Sequence, residues 1–317
     1  MPLQVSYFYE RRWVDRVAAI AREVQPDVIY TQLVRTTEYT RHLPYPALLD
    51  YMDAFSVGMA RRAEQASPGM RTLWRHEQRL LRAYERAVYN DYEQHTIISE
   101  QDRMLLDLPQ SVAVIPNGVD VDYFSPQHEV ATAYDLGFVG NMSYRPNVIA
   151  AEHLAQDILP RLTADRGLTT LLLAGASPAL PVRQLGSDTV TVSGWMDDIR
   201  QAYASARVFV APLYTGSGLQ NKILEPMAMG IPCVTTSLVN NAVQAPPDAI
   251  ATADDTHSFV ASTRALLTDE RQYERQRATA LDFVRRNYHW EAIVDRLNAQ
   301  LQQTATHTHA QHDRRSS

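Results

Sequence analysis

Lysine is almost missing from this chain of 317 residues: among its 30 Lys and Arg residues, Lys222 is the lone lysine. Cysteine is as scarce, a single Cys233 in the apolar run Ile231-Pro-Cys-Val-Thr235. That excludes an intrachain disulfide and a cysteine metal site, and it fits the reducing cytoplasm. No run of about 18 apolar residues occurs, and the amino terminus lacks a signal-peptide pattern, so the sequence offers nothing to span a bilayer. Excess positive charge is also missing. A net charge of -6 argues against a general nucleic-acid binder, although arginines concentrate over 61–86, and favours small anions as partners. A hydrophobic content of 45% is enough for one large or two ordinary domains.

The first third mixes short apolar strands, Asp27 to Thr31 and Ala47 to Tyr51, with Arg-rich helices, of which Arg71 to Tyr92 is the longest. His95 to Ser99 and Val112 to Ile115 read as strands, with a short helix Glu100 to Leu106 between them and the turn Pro116-Asn-Gly-Val-Asp120 after. From Asp135 strands and helices alternate strictly: strands at Leu136–Val139, Thr169–Ala174, Val190–Val192, Val208–Ala211 and Pro232–Thr235, helices at Ile149–Leu162, Ile199–Ala204 and Leu219–Met229. These strands are apolar runs without two-residue alternation, as in a parallel sheet covered on both faces. Helices Thr256–Leu267, Glu270–Asn287 and Trp290–Gln303 follow, and 304–317 reads as a polar, disordered tail.

Open α/β sheets bind ligands at the carboxyl ends of their strands. Three segments lie at such ends. In Phe138-Val-Gly-Asn-Met-Ser-Tyr-Arg-Pro-Asn147, Gly140 lets backbone approach a ligand, Asn141 follows it, and Arg145 could pair with phosphate oxygens. The second is Gly175, with Gly194 and Trp195 nearby. The third is the loop around the lone lysine. There Gly216, Ser217 and Gly218 permit a tight turn, and the backbone N–H groups of Leu219, Gln220 and Asn221 would point out of a helix start. A helix end with an ammonium beside it is an anion site. Glu225, one turn beyond Lys222, could accept hydrogen bonds from paired hydroxyls such as those of ribose; the blander reading makes the two a weak surface ion pair.

The string Lys222-Ile-Leu-Glu-Pro-Met-Ala-Met-Gly-Ile-Pro-Cys-Val, with Val114-Ile-Pro-Asn-Gly-Val-Asp-Val-Asp-Tyr-Phe-Ser-Pro126, resembles family 4 retaining glycosyltransferases of the GT-B fold. Within that group, Gly140-Asn-Met-Ser-Tyr-Arg-Pro-Asn147 and Leu49-Asp-Tyr-Met-Asp-Ala-Phe-Ser56 are similar to exopolysaccharide-associated sugar transferases. The resemblance runs from about Leu3 to Asn298. It implies an α/β protein of two Rossmann-like domains facing a cleft. The first, 1–130, would be a shortened acceptor-side domain and 131–287 the nucleotide-sugar domain, with a helix 288–303 returning to the first.

The implied activity is transfer of a sugar, with retention, from a nucleotide diphosphate sugar to a glycan or lipid-linked acceptor in exopolysaccharide or cell-surface glycan synthesis, without metal or other cofactor. Lys222, Arg145 and Asp53 are the candidate catalytic residues. Donor contacts fall to Gly140, Asn141, Asn117, Gly118, Gly175, Gly194, Trp195, Gly216, Ser217, Gly218, Leu219, Gln220, Asn221, Lys222 and Glu225. For Asp53, which with Asp50 follows a strand, a helix cap or Asx turn is the competing role.

Two features depart from the family pattern. A first glutamate that many members carry falls at Ser217, which supplies no negative charge, and the chain starts downstream of the usual opening strand and Gly-rich loop. The resemblance therefore leaves open a homo-oligomer or complementing partner chain, a catalytically silent nucleotide-sugar-binding or scaffolding subunit, and a nucleotide-sugar 2-epimerase, against which the loop at Gly140 argues. Residues 71–92, with Leu73, Trp74, Leu80, Leu81, Tyr84 and Val88 among arginines, could touch an anionic membrane peripherally. Base rates favour packing of that side on the first domain.

Overall fold

A computed structural model describes the chain apart from residues 65, 128, 168, 216–218 and 316–317; for 165–166 and 307–315 it describes the backbone alone. The described residues form two compact units, 1–116 with 291–317, and 117–290.

The first unit is built on four parallel strands in sequence order, β1 (Ile29–Gln32), β2 (Ala47–Asp50), β3 (Gln94–Ile97) and β4 (Ala113–Val114). All four residues of β2 are buried, which is why its sequence shows no alternation. Leu49, Tyr51, Leu81, Val88 and Ile97 share the core of this unit. The long helix spans Pro68–Ala87 and tightens into a 3-10 turn, Val88–Asp91. Leu81 and Val88 are fully buried, so its apolar side packs on the first unit. Leu73 and Leu80 stay exposed, and the Arg62 guanidinium lies 4.0 Å from the Trp74 ring centroid.

The last helix runs over Trp290–Arg315 and from residue 291 groups with this unit. It passes through the segment expected from sequence to be a disordered tail. Thr304 is fully buried and its hydroxyl bonds back to the Gln300 carbonyl, so the helix is tied down past Gln303, where polarity alone suggested an end.

The second unit holds six parallel strands: β5 (Tyr134–Val139), β6 (Leu171–Ala174), β7 (Val190–Gly194), β8 (Ala206–Ala211), β9 (Cys233–Thr235) and β10 (Ala251–Thr252). Their order is β10-β9-β8-β5-β6-β7. The chain winds outward from β5 to β7, returns to β8 beside β5, and winds outward the other way. This doubly wound α/β arrangement opens a crevice between the carboxyl ends of β5 and β8, where the winding reverses.

Side-chain caps fix where several helices begin. The Asp198 side chain accepts from the Arg200 N–H, Asp269 from those of Arg271 and Gln272, and Asp255 and Ser258 close a capping box. Gly137 lets β5 lie close on β8: a Cβ there would meet the Ala206 Cβ at 2.6 Å.

Candidate functional site

Three turns meet at the carboxyl ends of β5, β6 and β7. The Gly140 N–H donates to the Ala174 carbonyl at 3.0 Å, and the Gly175 N–H to the Gly194 carbonyl at 2.9 Å. Gly175 has φ +130, and a Cβ there would sit 2.0 Å from the Gly140 carbonyl oxygen. No other residue fits without moving one turn off the other. The Gly140, Gly175 and Gly194 expected from sequence thus form one continuous edge. Beside it Trp195 is 73% exposed, its indole N–H held by Asp197 at 3.1 Å.

From β5 the chain turns through Asn141 into a helix starting at Arg145, with Pro146 in its first turn. Arg145 is exposed. Asn147 is buried and donates from Nδ2 to the Asn141 carbonyl at 2.8 Å, closing the loop on itself.

On the other side of the crevice the chain leaves β8 and enters the helix Asn221–Ala228. Gly216, Ser217 and Gly218 of the connecting loop lie outside the described residues. Leu219 is buried, and the N-cap residue, Gln220, makes no side-chain cap bond among the described residues. Pro226 has no N–H to give the Lys222 carbonyl, so the helix is short.

Lys222, in the first turn, crosses the crevice: Nζ donates to Asn147 Oδ1 at 2.6 Å and lies 5.7 Å from the Phe138 ring centroid. Burial pulls the ammonium down to about 8, with Glu225 opposing the shift. Glu225 is raised by its own burial, against the Tyr203 hydrogen bond and Lys222. The Tyr203 hydroxyl donates to Glu225 Oε2 at 2.6 Å. This carboxylate is thus oriented, and among the described residues Oε1 has no donor.

Gly140, Asn141, Gly175, Gly194, Lys222 and Glu225 are therefore neighbours along one edge. Sequence reasoning missed the two residues that hold them, Asn147 and Tyr203. Asn147 was visible as the last residue of the Gly140 motif; Tyr203, at the end of the preceding helix, reads as ordinary core. At Gly118 the fold leaves room for another side chain. A Cβ there would meet Trp290 at 2.6 Å, so the missing side chain makes room for an indole, and among the described contacts none joins Asn117 or Gly118 to Lys222.

Asp53 belongs to the first unit. Burial, reinforced by Asp102 and Asp50 and opposed by Arg35, raises its carboxyl to about 6. The Asx turn foreseen as its competing role is made by Asp50, which accepts the Met52 N–H at 3.0 Å and the Tyr30 hydroxyl at 2.5 Å.

Residues 133–269 match a family model described as glycosyl transferases group 1. No curated protein matches the chain. Among solved structures, sucrose-phosphate synthase from Thermosynechococcus elongatus aligns over 92% of this chain and 77% of its own, with 17% identity and a TM-score of 0.72. Anabaena HepE in complex with UDP aligns over 92% and 82%, with 16% identity and a TM-score of 0.69. A UDP-forming trehalose-phosphate synthase from Burkholderia xenovorans aligns over 93% and 78%, with 12% identity and a TM-score of 0.66. At these identities the likeness is one of fold, and the fold is GT-B.

Proposed function

We propose, from a GT-B fold whose second unit matches a group 1 glycosyltransferase model, that this chain binds a nucleotide diphosphate sugar along the β5–β8 crevice and transfers the sugar, with retention, to a glycan or lipid-linked acceptor. The observation that carries the reading is Lys222: a half-buried ammonium in the first turn of a helix, with no carboxylate within ion-pair distance among the described residues. Such a group is costly to bury without an anion. A diphosphate supplies one.

As the bond between the sugar anomeric carbon and the diphosphate oxygen breaks, negative charge gathers on the leaving phosphate. Lys222, Arg145 and the helix N–H groups stabilise that charge more than they stabilise the ground state. Glu225 Oε1 accepts from the ribose hydroxyls, and Trp195 offers a flat face to the base. The edge at Gly140, Gly175 and Gly194 lets backbone approach the donor. These groups need no metal to balance the diphosphate. Asp53 is the candidate polar contact from the first unit. HepE is seen with UDP and with UDP-glucose, so uridine donors are the first to try.

The test is incubation with UDP-, GDP- and ADP-sugars and glycan or lipid acceptors, followed by release of nucleoside diphosphate and the anomeric configuration of the product. Transfer with retention from one donor class is expected. Binding without turnover in the presence of acceptors would show a silent subunit, and no binding of any nucleotide sugar would overturn the reading.

A further inference from the structure

An ammonium taken out of water ordinarily meets a carboxylate, yet the half-buried Lys222 meets a neutral amide. We propose that Asn147 is the positioning residue of this site: it fixes the Lys222 ammonium across the crevice and leaves its charge unneutralised, so that the donor diphosphate becomes the counter-ion. The inference rests on the nucleotide-sugar reading above and assigns a role to a residue that itself need not touch the donor.

The geometry gives Asn147 two tasks at once. Its Oδ1 accepts from Lys222 Nζ at 2.6 Å, and its Nδ2 donates to the Asn141 carbonyl at 2.8 Å. Both hydrogen-bonding ends of a buried amide are used, so it cannot swing away without leaving a polar group unpaired. Gly140 keeps the space between them: a Cβ there would lie 2.7 Å from Asn147 Nδ2 and 3.1 Å from Lys222 Nζ. An aspartate would reach the same ammonium but would satisfy its charge internally, and it would set a carboxylate oxygen against the Asn141 carbonyl.

The surroundings of the ammonium are otherwise poor in charge. From β5 comes the Phe138 ring and from its own helix Glu225, whose carboxylate is engaged by Tyr203. Arg145, on the helix that carries Asn147, is exposed. Lys222 has one acceptor among the described residues, which leaves two of its three N–H groups for phosphate oxygens.

The lone lysine makes the test direct. Lysine isotope-labelled at Cε gives a single methylene signal, whose titration reads Lys222 alone, in the wild type, Asn147→Ala and Asn147→Asp. The ammonium pKa should fall in Asn147→Ala, which loses the acceptor, and rise by about 1 to 3 pH units in Asn147→Asp, which gains an opposite charge. UDP affinity, measured by calorimetry, should drop about tenfold or more in both variants. A merely structural amide would weaken both without moving the lysine in opposite directions. Should Asn147→Asp fail to fold, Asn147→Ser, which keeps a short acceptor, takes its place and should retain more affinity than Asn147→Ala. A lysine signal that titrates alike in all variants overturns the proposal whether or not nucleotide binds. A wild type that binds no nucleoside diphosphate overturns the donor reading instead, while the titrations still report on the clamp.

Discussion

Replacing Lys222 by Met separates what this side chain does for function from what it does to stability. Met keeps an unbranched stem of similar length and removes the charge. With the ammonium pulled to about 8 by burial, holding it charged near neutral pH costs the wild type about 3 kcal/mol relative to a free lysine. Met recovers that, less about 1–3 kcal/mol for the Asn147 oxygen that loses its donor, so the net change at pH 7 is small and favours the variant.

The pH dependence is the cleaner signature. An amine whose pKa falls on folding destabilises the protein while it is charged, and the cost fades as pH rises from about 8 towards its unfolded value. Between about pH 7 and 9.5 the wild type should therefore gain about 2 kcal/mol on Lys222→Met. Urea unfolding of ligand-free protein at a series of pH values measures the gap. The same variant should bind UDP about tenfold to a hundredfold more weakly, the loss of a charge-assisted hydrogen bond. A stability gap that does not change over this pH range would refute the reasoning about a buried, unpaired ammonium.

Three further outcomes are expected. Gly175→Ala forces a Cβ to within 2.0 Å of the Gly140 carbonyl oxygen; it should cost about 1–3 kcal/mol in unfolding experiments and weaken UDP, and unchanged UDP affinity would remove the Gly140–Gly175 edge from the site. Glu85, in the first unit, is raised to about 7 by burial and has one oxygen without a partner. The stability present below the unfolded pKa is lost as pH rises towards 7, so Glu85→Gln should stabilise the protein at about pH 8 and do nothing at about pH 4.5; equal effects at both would contradict the assignment. Asp53, at about 6, should give transfer an acid limb as it protonates below that pH, and a limb that persists in Asp53→Asn belongs to another group.

The second unit was more legible in the sequence than the first, for physical reasons. Ile199–Ala204 and Glu270–Asn287 begin where the sequence places them because Asp198 and Asp269 cap them. The helix after β5 starts four residues before the expected Ile149 because Arg145-Pro146 reads as loop, whereas proline suits a first helical turn. β10 escaped notice because it is two residues long and takes its identity from pairing with β9. The partners of the site residues were harder still. Tyr203 and Asn147 act through contacts that residue spacing does not encode, and Gly118 makes room for Trp290, far off in sequence. The candidate charges, Lys222 and Glu225, were legible in the sequence, and the neutral groups that hold them, Asn147 and Tyr203, were not.

Calorimetric titration of UDP into the wild type, Lys222→Met and Glu225→Gln tests the central claim most directly. The wild type should bind measurably, the lysine variant should lose about tenfold or more through the diphosphate, and the glutamate variant should lose less, through the ribose. Equal affinity across all three would contradict the placement of the donor at the β5–β8 crevice.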